Sequence, residues 1–314
     1  MTWLTWRQQR TETLIAGLVL VLAAAVLVPI GLHMSSVYSS EGLASCVADS
    51  GGRCGAAVGS FDRRFEHLGG LLSWFNLLPG LLGILLAAPF VLELEQGTFR
   101  LAWTQSITRR RWLTTKLGLI VVGSIAAALG LTVLMTWWRG PLDHLHGRME
   151  TNVFDFEGIV PFAYTLFAVA LVIAVGALLR RTVLAIGLGF VGYLSLRLVI
   201  QTWVRQDYVA PIRKVWPFGQ PGPAGLDTAW QLQSVPSDRF GHPLPDTSIL
   251  AASCGHGTKA TLTACAQSHQ LYNLAVYQPA SRFWLFQGIE TAIFGGLALA
   301  LLAFAVWWVR NRVS

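Results

Sequence analysis

Six apolar runs, at about 13–33, 71–92, 117–138, 158–179, 183–204 and 284–309, divide the chain. A helix of about 20 apolar residues crosses the hydrocarbon core of a bilayer. Inside that core each backbone N–H and C=O must be satisfied within the structure, which leaves helices as the spanning elements here. The pattern predicts an all-α polytopic membrane protein with six spans. Pro29, Pro79, Pro89 and Pro161 lie within these runs, and membrane helices tolerate them. Trp137, Trp138, Trp203, Trp284, Trp307 and Trp308 fall near run ends, at the interfacial depth that amphipathic rings prefer. Only 12% of residues are charged, against roughly 25% in an average soluble domain, which excludes an ordinary cytosolic fold. The first run reads as a span and not as a cleaved leader. Leu43-Ala-Ser-Cys46 has the look of a lipoprotein cleavage box, but about a dozen mostly polar residues separate it from the run.

Six spans put both termini on one side. With that side cytoplasmic, the inner segments gather Arg7, Arg10, Arg100, Arg109, Arg110, Arg111, Lys116, Arg180, Arg181, Arg310 and Arg312 against three acids, Glu12, Glu93 and Glu95. Short inner loops rich in Arg and Lys are the positive-inside signature. The net charge of +7 is then a consequence of topology, and no nucleic-acid partner is expected. Residues 1–12 place Trp3, Leu4, Arg7 and Arg10 at helical spacing, which reads as an amphipathic helix in the inner interface. It is either a plain anchor or a second contact for a cytoplasmic partner. The expected division is 1–12 interfacial, 13–204 spans one to five, 205–283 external, and 284–314 sixth span and cytoplasmic tail.

The external region 205–283 is rich in Pro, Gly and Ser in its first half and shows no clear helical or strand period there. It is expected to be irregular and locally stapled. Four cysteines lie outside the apolar runs in two close pairs. An oxidising exterior favours disulfides, and proximity favours Cys46–Cys54 with Cys254–Cys265 among the three possible pairings. A zinc site at Cys254, His256, Cys265 and His269 is the other reading of the second cluster. The tight Cys-x-His spacing counts against it.

Chemical motifs are scarce. Gly187-Leu-Gly-Phe-Val-Gly192 matches G-x-G-x-x-G but lies inside an apolar run, where small residues let helices approach closely. No G-x-x-x-x-G-K-[ST] occurs, so the chain carries no phosphate loop of its own. Neither H-E-x-x-H nor a Ser-His-Asp constellation is present, and no catalytic, cofactor or metal site is expected. Two ionisable residues stand out within the apolar runs: Arg197 in the fifth and Glu290 in the sixth. Their depths below the outer ends nearly match at about 1.5 Å per residue, and a charge at that depth is costly unless paired or hydrated. An Arg197–Glu290 ion pair or a shared polar network is predicted.

The connection between spans two and three carries the most informative pattern. Glu93-x-Glu95-x-Gly97-Thr98-Phe-Arg-Leu101, followed by Ser106-x-x-Arg109-x-x-Trp112-Leu-x-x-Lys116, resembles the signature of ABC-2 type transporter permeases. The stretch Tyr277-Gln-Pro-Ala-Ser-Arg-Phe-Trp-Leu-Phe-Gln287, with Glu290 beyond it, looks like the entry to the last span in a bacterial branch of that family. The resemblance implies an ATP-driven exporter half that pairs with a separate cytoplasmic ATPase, two permeases with two ATPases. It also implies that residues 93–116 form a coupling helix lodged in the ATPase. Glu93, Glu95, Gly97, Thr98, Arg109, Arg110, Arg111, Trp112 and Lys116 would make that interface. The acids fix its start by ion pairs or by capping amides, Gly97 gives a turn, and the arginines supply multidentate donors to carboxylates or lipid phosphates.

The leading function is thus the membrane-spanning permease of an ABC exporter in the cell membrane, moving an amphipathic or hydrophobic drug, lipid or peptide. ATP and magnesium would be held by the ATPase, and the permease would dimerise through spans one, two and five by family analogy. Asn76, Thr132, Thr165 and Gln201 are polar candidates for lining the path. The alternative is a membrane scaffold or sensor that recruits a cytoplasmic partner without transport.

Overall fold

The computed structural model describes residues 2–48, 55–66, 68, 74–100, 108–244 and 259–312. Six of its helices are long and apolar enough to cross a membrane. They lie within α1 (Thr2–Ser40), α4 (Leu78–Gln96), α5 (Arg109–His146), α7 (Val160–Leu179), α8 (Thr182–Val199) and α10 (Phe283–Arg312). Shorter helices are α2 (Leu43–Ala48), α3 (Gly55–Phe65), α6 (Thr151–Phe154) and α9 (Lys259–Ser268).

α7 is the hub. In its apolar stretch 67% of residues are buried, against 22% in the first and last spanning helices, and it packs on α4, α8 and α10. It is rich in Ala and Val, with Gly176 among its small residues, so neighbouring backbones can come close. A Cβ on Gly176 would sit 2.4 Å from a Val91 methyl, and one on Gly83 would sit 2.5 Å from the Thr165 carbonyl oxygen. α1 and α5 form a second pair beside this hub, crossing where Gly31 lies against Trp137 and Trp138. At about 1.5 Å per residue, these helices of 39 and 38 residues are far longer than a hydrocarbon core of about 30 Å. Their ends beyond the core carry α3, whose Phe61 and Phe65 are buried. Tyr38 stacks on His144 there, and His146 bonds Asp62 at 2.8 Å.

Cross-helix bonds show which ends share a face. Arg109 donates to the Arg310 carbonyl and the Thr182 amide donates to Glu95, gathering these chain segments on one basic face. On the opposite face Asn76, Asp155 and Arg197 meet.

Residues 2–40 are one uninterrupted helix, which runs through the expected boundary at residue 12. Two sequence expectations change. The segment 93–116 is not one separate helix: α4 ends at Gln96, with Gly97 left-handed at φ 70°, a conformation that favours glycine. α5 then starts at Arg109, with the Thr108 side chain accepting the Arg111 amide. Leu101 to Ile107 lie outside the described residues. The region 205–283 is also more than loops, which corrects the all-α class. It contains an antiparallel sheet of order β1-β3-β2, from β1 (Ile212–Pro217), β2 (Trp230–Ser237) and β3 (Tyr272–Gln278).

The sheet grows from the membrane helices. α8 continues through a π-turn, Ile200–Val204, and a 3-10 turn, Arg205–Asp207, into β1. β3 leads through Ala280–Arg282 into α10. The Gln278 amide donates to the Gln206 and Val209 carbonyls, and Arg282 to that of Ala210, so the base of the sheet is tied to the span ends. Pro236 is tolerated because β2 is an edge strand, and β2 absorbs a bulge between Gln231 and Gln233. Cys265 is disulfide-bonded, which removes it as a zinc ligand. The side chains of Cys46, Cys54 and Cys254 lie outside the described residues, and so does the expected pairing.

In detergent, Gly83→Ala lowers the thermal midpoint by several degrees, because the new methyl overpacks against backbone at a cost of about 1–3 kcal/mol. Gly187→Ala, with nothing within 4 Å of the added carbon, leaves the midpoint unchanged or raises it. Equal midpoints for the two variants contradict this packing.

Candidate functional site

Two polar constellations lie at opposite ends of the helices. On the face away from the basic segments, Arg205 at the end of the extended α8 forms a bidentate pair with Glu290 of α10, at 2.8 Å from Nε and 2.7 Å from Nη2. Its Nη2 also donates to Asp155 Oδ1 at 2.5 Å, and the guanidinium lies over the Phe154 ring. Arg197, two turns earlier, donates to Asp155 Oδ2 at 2.8 Å, to the Asn76 side chain at 2.6 Å and to the Asn76 carbonyl. The Tyr164 hydroxyl of α7 sits between Asp155 and Glu290. All four charged side chains are at most 4% exposed.

Of the two arrangements expected for Arg197 and Glu290, the structure shows the shared polar network and not the direct ion pair. Among the described residues, Arg197 and Glu290 do not bond each other; Asp155, Tyr164 and Arg205 stand between them. Two cations and two anions cancel, and charges withdrawn from water require such mutual compensation. Burial raises the Asp155 pKa, but Arg205 and then Arg197 outweigh it and hold the carboxyl below its usual range. Asp155, Tyr164 and Arg205 were missed by sequence reasoning: Asp155 and Arg205 fell just beyond run ends, in segments counted as external, and a tyrosine in an apolar run carries no charge to flag it. The one available signal was the lone Arg and lone Glu in adjacent runs, which called for partners.

Gln287, one turn before Glu290, secures the same junction. Its side-chain oxygen accepts the Ile159 and Val160 amides at 2.9 Å each, and its nitrogen donates to the Phe154 carbonyl. It thereby satisfies the start of α7, whose first N–H groups have no partner within the helix. Gly158 allows the approach, since a Cβ there would meet Gln287 Oε1 at 2.7 Å.

Beside this junction Glu157 is fully buried, and neither carboxylate oxygen has a hydrogen bond among the described residues. Arg139 and Arg148 approach only to 3.6 and 3.8 Å. Burial first, then the neighbouring Asp143, push its pKa up to about 9 against the pull of the two arginines.

On the basic face the acidic pair has two distinct roles. Glu93 makes an ion pair with Lys116, tying the end of α4 to α5. Glu95 accepts the Thr182 amide at 2.9 Å. That caps the first turn of α8, where Arg181 provides no side-chain cap and a carboxylate is favoured by the helix dipole. Trp112 is buried between Phe90 and Phe99 with Lys116 over its ring, so the chain just past Gly97 is pinned against α5. Thr98, Arg109, Arg110 and Arg111 are exposed. Of the other lining candidates, Thr165 bonds its own helix at the Pro161 carbonyl, Thr132 is buried, and Asn76 belongs to the Arg197 network.

Glu157 makes stability depend on pH. Its folded pKa near 9 lies above the unfolded carboxyl value of about 4.3, so the folded state holds the extra proton. The stabilisation is full below the unfolded value and declines as pH rises toward 9. Glu157→Gln is expected to raise the thermal midpoint at pH 8.5 and to flatten its pH profile between 5 and 9. A variant profile as steep as that of the unaltered protein contradicts the assignment.

A family model described as ABC-2 membrane transporter related matches residues 17–205, well over half of the 314-residue chain. The match covers five of the six apolar helices, the connection between α4 and α5, and Arg205, and it stops before the sheet. No curated protein and no solved structure gives a significant match. With six apolar helices on the page and the match running through five of them, the chain belongs to the ABC-2 membrane transporter related family and is a multi-pass membrane protein.

Proposed function

We propose that the chain is the permease subunit of an ATP-driven exporter, with its basic face in the cytoplasm and docked on a separate ATPase that binds ATP and magnesium. The observation that carries this reading is the bracing of the basic face. Glu93–Lys116 joins the ends of α4 and α5, and Glu95 joins α4 to the first amide of α8. A push on the connection between Gly97 and Thr108 therefore reaches three helices at once. Exposed Arg109, Arg110 and Arg111 present guanidinium forks suited to carboxylates on a docking groove. The excess of Arg and Lys on this face supports a cytoplasmic orientation.

The cargo in this reading is amphipathic or hydrophobic, because the charges within the helical bundle are consumed by mutual pairing. Exposed apolar side chains along α1 and α8, among them Leu18, Val21, Leu188 and Val191, supply surface for lipid and for a second permease.

The test is ATP hydrolysis in proteoliposomes holding the permease and a candidate ABC ATPase from the same genome. Substrate-stimulated turnover is expected in the unaltered complex. Lys116→Met, which leaves Glu93 without its partner, is expected to cut stimulation about tenfold or more while the ATPase stays bound. Arg110→Glu is expected to weaken the complex in a salt-dependent way. An ATPase that neither co-purifies nor responds to the permease sinks the proposal and favours a scaffold without transport.

A further inference from the structure

Leu194, Arg197, Leu198 and Gln201 follow one another at helical intervals of three, one and three residues, which sets them on a single stripe of α8 and its π-turn. With Asn76, Leu77 and Asn152 they line a cleft of about 190 Å³ beside the ionic network. Its polar groups are incompletely used. Arg197 is buried, with Nη1 and Nη2 engaged by Asn76 and Asp155, yet its Nε–H has no acceptor among the described residues. The side-chain amides of Asn152, which is exposed, and Gln201, which is half-buried, belong to residues of the same lining. Native proteins leave few buried polar groups unpaired, and the residue that carries this buried donor lines the cleft together with the half-buried Gln201 and the exposed Asn152.

The charge balance selects what fits. Arg197 and Arg205 are offset by Asp155 and Glu290, so an ionic ligand would bring a charge with no counter-charge into a desolvated wall. A neutral group that accepts and donates hydrogen bonds matches the carboxamides and the free Nε–H at no such cost. The stripe also has an apolar side: Leu194 is half-buried, while Leu198 and the nearby Trp203 are 51% and 65% exposed and offer a surface for a hydrocarbon tail.

We propose that this cleft binds an amphipathic molecule through an uncharged amide, ester or hydroxyl group, with its apolar part along Leu194 and Leu198. The proposal rests on the transport reading for its purpose and deepens it by naming the substrate class. Binding itself needs no ATPase, so the two can fail separately.

The experiment uses the full-length permease in nanodiscs without ATPase and three radiolabelled probes of equal chain length: decanamide, decanoate and decylammonium. Saturable decanamide binding is expected, about tenfold or more tighter than either ion. Gln201→Leu is expected to weaken decanamide by about three- to tenfold, the scale of one or two lost hydrogen bonds. Gln201→Glu is expected to lose decanamide and gain decylammonium, which keeps the test decisive if the leucine variant misfolds. Repeating the assay in ether-linked lipid separates sources: tighter decanamide binding there shows that a lipid ester normally occupies the cleft, and unchanged binding points to an exported molecule. Equal affinity for all three probes, preference for an ion, or decanamide binding indifferent to both substitutions overturns the proposal.

Discussion

Two guanidinium groups held against two carboxylates fix where the membrane helices of this protein meet. Removed from water, each of these ions would be costly alone; together they form a neutral cluster that four segments must supply at once. Arg197 and Arg205 come from α8 and its extension, Glu290 from α10, Asp155 from the turn before α7, and Tyr164 of α7 closes the gap between the acids. The helices cannot slide by a turn without leaving a charge uncompensated. Gln287 adds to this by holding the first amides of α7, and the sheet stands on the same span ends. The sheet-bearing side of the protein is thereby locked.

The basic face is braced differently. One ion pair and one carboxylate-to-amide cap link three helices, while the aromatic contact of Phe90, Trp112 and Phe99 holds the chain leaving Gly97. These links sit at helix ends and not deep between them. In the proposed reading, a push on this face is carried to α4, α5 and α8 through these links.

Much of the fold was legible in the sequence because hydrocarbon imposes length and composition on a span, and both can be read directly. The depth of Arg197 and Glu290 was legible for the same reason. Their true partners were not. A residue at a span boundary reads as solvent-facing until the π-turn at Ile200–Val204 is known to carry Arg205 back into the core. The sheet was hidden too: β1 offers two charged residues in Ile-Arg-Lys-Val-Trp-Pro, and β2 contains Pro236 and a bulge, so neither shows a clean two-residue alternation. β3, Tyr-Asn-Leu-Ala-Val-Tyr-Gln, has strand character but lies far in sequence from both edges it joins. The coupling segment expected over 93–116 is divided among the end of α4, the turn at Gly97 and the first turns of α5, and Leu101 to Ile107 lie outside the described residues.

The most direct measurement on the locked cluster is a double-mutant cycle at Arg205 and Glu290, read by thermal unfolding in detergent. Arg205→Met alone strands Glu290 and is predicted to cost about 3–5 kcal/mol, while Arg205→Met with Glu290→Met restores neutrality and recovers a large part of that loss. Additive losses, with the double variant as unstable as the two single changes combined, would show that the charges act independently and would contradict the account.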